Sequence, residues 1–510
     1  MVCANYDDLD ATTQLICDNA KAAANLAAGV DTFFLLFAGA CVFLMQCGFA
    51  MLCAGSVRQK NVKNIMLKNI LDACGGAIGF WTLGYGFAYG DHSKTSEFIG
   101  TSSFFFLADG TSSWDDDGAT APTQQAGGSS YIGWFFQFAF AATAATIVAG
   151  TVAERCKMSA YLCYSLFLTA FVYPVVVHSI WCTGGWLSAF EGENPLLYEV
   201  GVIDFAGSGV VHMTGGATAL VAAIILGPRK GRFYDDDGNA LETPGSFPPH
   251  SVALQVLGTF ILWFGWYGFN PGSALMISTA DAAAVAGLCA VTTTLSAAAG
   301  CVTALFADTL FEYFSTGEAS YELTMAMNGA LGGLVGITAG CSTVTPWAAI
   351  VIGIISGLVY LGFSKFLVKI KVDDAVDAIP VHFACGIWGV LAVGFFAEPG
   401  LMGVAGYNAE KPGVFYGGDG SLLLCELYAV LWVIAWVALT MTPFFLLLKV
   451  LGMFRVDALE EEVGLDISHH RGSAYDLSGA KQEDVEELME VRASKHGKVD
   501  VPKEVADAAE

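Results

Sequence analysis

The chain has 510 residues, 55% of them apolar and only 14% charged, where a soluble protein carries roughly 25% charged residues. With a mean hydropathy of +0.57, that balance excludes an ordinary water-soluble domain and fits a chain solvated mostly by lipid. The net charge of −25 excludes nucleic acid as a partner, because a phosphate binder needs a basic stripe.

Residues 1–30 read as a polar, extracytoplasmic N-terminal segment in which Cys3 and Cys17 are open to pairing, within or between chains. Apolar runs of about 20 residues then read as transmembrane helices. They fall near 31–54, 70–90, 131–153, 159–180, 206–227, 251–273, 282–308, 324–341, 347–369, 379–397 and 421–453. The predicted fold is therefore an all-α membrane domain over 31–453 with eleven spans, followed by a polar, acidic tail over 454–510.

Basic residues set the orientation. Arg58, Lys60, Lys63 and Lys68 follow the first span, Arg155 and Lys157 the third, Arg229, Lys230 and Arg232 the fifth, and Lys365, Lys369 and Lys371 the ninth. All fall on one face, which is read as cytoplasmic and puts the N-terminus outside and the tail inside. The acidic loop at 309–323 dissents.

Two segments echo each other five spans apart. Asp204 precedes His212 early in the fifth span, and Asp377 precedes His382 early in the tenth. Spans five apart enter from opposite faces, as in an inverted repeat. A histidine in hydrocarbon is costly and faces a cavity or the bundle interior. Two in matching halves point to a polar pathway, although a satisfied core hydrogen bond remains an alternative for each. Both aspartates read as N-caps, and Asp204 also as an electrostatic lure for cations. His178 reads as interfacial and hydrogen-bonded. The clusters Trp134, Phe135, Phe136 and Phe140, then Trp181 and Trp186, then Trp263, Trp266 and Phe269 fit either an interfacial belt or an aromatic cage for a small cation.

Four ordered motifs carry a resemblance. They are Ala54-Gly55-Ser56-Val57-Arg58 with Asn64-Ile65-Met66-Leu67 and Leu71-Asp72-Ala73; Asp204-Phe205-Ala206-Gly207-Ser208-Gly209-Val210-Val211-His212; Gly265-Trp266-Tyr267-Gly268-Phe269-Asn270-Pro271-Gly272-Ser273; and Asp373 to His382. Together they resemble the ammonium transporter (Amt) family, in its plant- and alga-type branch, over nearly all of 30–475. One departure is Ser208, where a second glycine is more usual.

That resemblance implies an eleven-helix protomer with a pseudo-twofold inverted repeat, assembled as a homotrimer or as a heterotrimer with paralogous chains. It implies high-affinity uptake of ammonium or methylammonium across the plasma membrane. Trp181, Phe140 and Ser273, with Phe136 and Ala206 beside them, resemble the recruiting vestibule, Phe140 and Phe269 the phenyl gate, and His212 and His382 the pore pair. Net charge movement is expected. Residues 460–472 resemble the segment that docks on a neighbouring protomer, with Gly464 and Ser468 as regulatory positions and Ser468 the phosphorylation switch for a kinase. The alternatives are an ammonium sensor of the same fold and a Rhesus-type neutral ammonia channel. No nucleophile–base arrangement, nucleotide loop or metal-ligand spacing is found, so neither an enzyme, a cofactor nor a metal is expected. The acidic stretch at 483–490 reads as a solvated or short helical appendage.

Overall fold

The computed structural model describes residues 10–90, 97–106, 131–190, 197–470 and 472–475. Among these residues the chain is helical, with isolated bridges but no strand. Nine helices among the described residues are long and apolar enough to cross a membrane. They are α1 (Ala11–Ser56), α3 (Tyr131–Thr151), α4 (Met158–Trp181), α5 (Ser208–Leu226), α6 (Val252–Ala274), α7 (Ala280–Thr316), α9 (Pro346–Lys369), α10 (Ile379–Phe396) and α11 (Ser421–Val450). Two more complete the expected eleven. The helix α2 runs over 62–89 through a π turn at Phe80–Gly84, and α8 spans Leu323–Thr338.

Two elements overrun their expected bounds. The first is α1, whose 46 residues make about 70 Å of helix, more than twice a hydrocarbon core of about 30 Å. Much of the N-terminal segment is thus the start of α1. Asp10 caps it, accepting from the N–H groups of Thr12 and Thr13 at 2.9 Å each, and the alanine-rich run behind favours helix. Where α1 meets the bundle, Asp31 accepts from the N–H groups of Ile277 and Ser278 at 2.8 and 2.9 Å. Cys17 is disulfide-bonded, while Cys3 lies outside the described residues.

The second is α7, which continues to Thr316 and stops at Gly317, where φ is +84°. Its Asp308 pairs with Lys365 at 2.9 Å, so this carboxylate near the dissenting acidic loop is matched by a cation from α9.

Small residues let the bundle close. A Cβ on Gly216 of α5 would lie 2.4 Å from the backbone nitrogen of Phe383 in α10, so only glycine permits this crossing, one turn beyond His212 and beside His382.

Several basic residues from the expected cytoplasmic loops are held by carboxylates. Arg229 holds Asp373 through two hydrogen bonds of 2.8 and 2.9 Å, and Glu154 takes Arg58 at 2.6 Å. Burial alone would raise the Asp373 carboxyl, but Arg155 and Arg229 hold it well below the usual carboxylate range. Burial likewise opposes ionisation of Glu154, and the charges of Arg229 and Arg58 overcome it. Lys68 is fully buried and donates to the carbonyl of Cys156 at 2.8 Å. This network fixes the tail-side loops as one unit.

Candidate functional site

The site is built where α5 and α10 begin. Each starts with a π turn, Ser208–Met213 and Ile379–Ala384, a rare geometry concentrated at functional positions. Each turn carries one of the two histidines.

The aspartates before these turns behave differently. Asp204 caps α5 as expected: its carboxylate accepts from the N–H groups of Gly207, Gly209 and Val210 at 3.0, 2.9 and 2.8 Å. Asp377 does not cap α10. It has φ +58° and accepts instead from the hydroxyls of Tyr360 and Ser364, both at 3.0 Å. The cap is Asp374, which takes the N–H of Ile379 at 2.7 Å and the hydroxyl of Thr151 at 2.9 Å. Asp374 precedes His382 by eight residues, as Asp204 precedes His212, so the caps of the two π-turn starts stand at the same spacing.

His212 and His382 meet. Their Nδ1 atoms are 3.2 Å apart and their rings lie nearly parallel, 5.2 Å between centroids. His212 is sandwiched further by Trp266 at 5.0 Å and Phe269 at 5.3 Å, and Phe49 lies 5.9 Å from His382. The Nε2 of His212 is buried with no protein partner among the described residues. A hydrogen bond between two neutral imidazoles leaves the pair with one Nε2 that accepts and one that donates.

On the α5-entry side the path is closed by aromatic rings. Phe140 and Phe269 meet at 4.2 Å between centroids with planes tilted by 33°, both essentially unexposed. Above them Trp181 meets Phe140 edge-on at 5.9 Å, and Phe136 lies 4.8 Å from it. The Trp181 ring is aimed by its Nε1, which donates to the carbonyl of Asp204 at 2.6 Å. Ala206 is buried, its N–H given to the carbonyl of Thr338 at 3.2 Å. Ser273 donates to the carbonyl of Phe269 at 2.8 Å. The rings of Trp181, Phe136, Phe140, Phe269, His212 and His382 thus form one continuous column.

On the opposite side a cavity of about 20 Å³ lies against His382, lined also by Phe49, Leu331 and Val381. It shares Leu52, Asn328 and Val376 with a larger cavity of about 250 Å³ bounded by Arg229, Arg232, Asp374 and Asp377.

Several residues take places the sequence did not reveal. His178, read as interfacial, is fully buried and bonded through Nδ1 to the carbonyl of Ala88 at 2.9 Å. Trp266 is no belt residue: it is fully buried, with Nε1 donating to Thr338 at 2.9 Å. Ser208 has a specific task, donating to the carbonyl of Val335 and accepting from the N–H of Ala339, both at 2.7 Å. That ties the start of α5 to the end of α8, which glycine cannot do.

The tail packs on its own chain. Two short helices, α12 (Ala458–Val463) and α13 (Leu465–His470), flank Gly464. Asp466 accepts from the N–H groups of Lys63 and Asn64 at 2.9 and 2.8 Å, capping α2. Glu461 takes the N–H of Lys230 at 2.6 Å and the guanidinium of Arg455 at 2.9 Å. Ser468 is fully buried and donates to the carbonyl of Gly464 at 3.0 Å. The acidic stretch at 483–490 lies outside the described residues.

Residues 33–475 match the model of the Ammonium Transporter Family. The chain belongs to that family. Among curated members of the ammonium transporter family it is 45% identical to ammonium transporter 1 member 1 of Oryza sativa subsp. japonica, over 89% of this chain and 87% of that one. It is 41% identical to ammonium transporter 1 member 3 of Solanum lycopersicum, over 89% and 95%. Among solved structures, a sensor Amt protein aligns with TM-score 0.72 and 33% identity, covering 88% of this chain and 99% of that one. Mep2 of Candida albicans, 24% identical, shares the fold with TM-score 0.71, over 88% and 93%. The chain is a multi-pass membrane transporter and not an enzyme.

Proposed function

We propose that this protein takes up ammonium across the plasma membrane by stripping it of a proton above the His212–His382 pair. The observation that carries the reading is the continuous column from Trp181 through Phe140 and Phe269 to the two facing histidines.

Ammonium and potassium are alike in size and charge, so an anionic ring alone cannot separate them. Ammonium differs in donating hydrogen bonds and in being able to lose a proton. A cation drawn to the faces of Trp181, Phe136 and Phe140 gains roughly 0.5–2 kcal/mol per ring contact, and Ser273 offers a hydroxyl oxygen beside them. Carrying the ion on between the phenyl rings into an apolar pore costs several kcal/mol. Neutral ammonia avoids most of that penalty and is both donor and acceptor, matching the two kinds of Nε2 on the histidine pair. Passage of the proton through the pair gives net charge movement.

In the same reading the Trp181 side faces outward, the tail is cytoplasmic, and three protomers, identical or paralogous, assemble in the bilayer. The tail segment, docked on its own chain at Lys60–Asn64, also reaches a neighbour in that assembly. A kinase acting on Ser468 releases it.

The likeness to a sensor Amt protein favours a second reading, in which ammonium is bound and signalled with little flux. Uptake of labelled methylammonium by yeast cells lacking their own ammonium transporters decides between them. Transport predicts saturable uptake competed by ammonium and indifferent to an equal concentration of potassium. Uptake no greater than in cells without the protein leaves only the sensor.

A further inference from the structure

Glu426 is the single acidic residue of α11, and it is fully buried. A carboxyl at this depth is costly and marks a functional position by default. Its Oε1 accepts from the backbone N–H of Ile203 at 2.8 Å, while Oε2 is buried with no partner among the described residues. The residue before it, Cys425, donates its thiol to the carbonyl of Leu197 at 3.3 Å. The outer end of α11 therefore grips the segment 197–204 at two points.

That segment leads directly to the vestibule. Beside Ile203 stands Asp204, whose carbonyl receives Trp181 Nε1 and whose carboxylate caps α5. Farther along, α11 also holds the helix that carries Trp181: Trp432 donates to the hydroxyl of Ser179 and Trp436 to the carbonyl of Val172, both at 2.9 Å. Trp181 is thus supported from two sides by one helix, and Glu426 supplies the only side-chain carboxylate bond to the Ile203 N–H among the described residues.

We propose that Glu426 is a positioning residue for ammonium recruitment: by pinning Ile203 it sets the Asp204 carbonyl that orients the Trp181 ring. The inference rests on reading Trp181 as the recruiting ring. It assigns Glu426 an acceptor role, fixed by where its oxygen sits, and gives no part to its charge. The consequence falls on capture of the cation and leaves the steps below the gate alone.

Two variants separate acceptor from charge, with methylammonium as the probe in proteoliposomes of the full chain. Glu426→Gln keeps an oxygen at the same reach, and Glu426→Asp keeps the carboxyl but withdraws it by one methylene. The expected result is a Glu426→Gln protein within about twofold of the parent in both KM and Vmax, and a Glu426→Asp protein with KM raised about fivefold or more at a Vmax within about twofold. Glu426→Met, which fills the space without an acceptor, replaces Glu426→Asp if the latter does not insert, and carries the same expectation. The proposal is overturned if Glu426→Gln raises KM as much as Glu426→Asp, which makes charge the cause, or if neither changes KM. Trp181→Leu is the control. It should raise KM, and adding Glu426→Asp to it should raise KM by less than about twofold further, because the two act on one element. An unchanged KM in Trp181→Leu defeats the recruitment reading itself. A raised KM there, with a normal Glu426→Asp, defeats only the role of Glu426.

Discussion

Replacing either His212 or His382 with alanine is expected to lower the ammonium-to-potassium current ratio at least about tenfold, equivalent to roughly 1.4 kcal/mol of lost discrimination. Each imidazole is the other's only hydrogen-bond partner among the described residues, across the 3.2 Å contact. Removing one leaves the survivor without its bond and opens space between Trp266, Phe269 and the small cavity beneath. Water can then enter, and an ion that kept its hydration would no longer be excluded. Because the two rings work as one donor–acceptor unit, the double alanine variant should be little worse than either single one. Currents recorded from proteoliposomes under matched ammonium and potassium jumps check this, and parental selectivity in both single variants would refute the assigned role.

The second large effect is expected at the tail. Gly464 has φ +111°, and a Cβ there would sit 2.6 Å from Lys60 Cβ and 2.8 Å from the Lys60 carbonyl oxygen. Gly464→Val therefore meets both a disfavoured backbone conformation and an immovable main-chain atom, so α12 and α13 cannot stay docked. Ser468→Asp acts in the same direction by forcing a second carboxylate into a fully buried position two residues from Asp466. Ser468→Ala removes the bond to the Gly464 carbonyl, about 1 kcal/mol, without adding charge, and should leave the tail in place. Limited proteolysis of membranes measures docking. Gly464→Val and Ser468→Asp should expose the tail at least about tenfold faster, a shift of at least about 1.4 kcal/mol in the docking equilibrium, with methylammonium uptake reduced in parallel. Tail protection and uptake equal to the parent in Gly464→Val would contradict the docking geometry.

These expectations draw on different depths of legibility. The eleven spans were readable because a bilayer demands runs of about 20 apolar residues, and the histidine pair because polar groups inside such runs stand out. The early turns of α1 were hidden, since a helix standing in water carries no apolar signal and only its Asp10 cap and alanine content betray it. The cap of α10 was misassigned to Asp377, although Asp374 precedes His382 by the same eight residues that separate Asp204 from His212. Trp266 was ambiguous for a related reason: a tryptophan in a span can face headgroups or a histidine, and the neighbouring helix decides which. Glu426 went unnoticed inside one of the most apolar runs of the chain, and Ser208 was noticed only as a departure. In both cases the partner is a backbone group from a distant segment, which sequence alone does not locate.

The central claim is that ammonium crosses and potassium does not, by way of the His212–His382 column. Its most direct test is the electrical response of proteoliposomes bearing the full chain to an ammonium concentration jump. A saturable inward positive current that an equal potassium jump does not reproduce is expected. Ammonium binding without flux, or equal currents for the two ions, would contradict it.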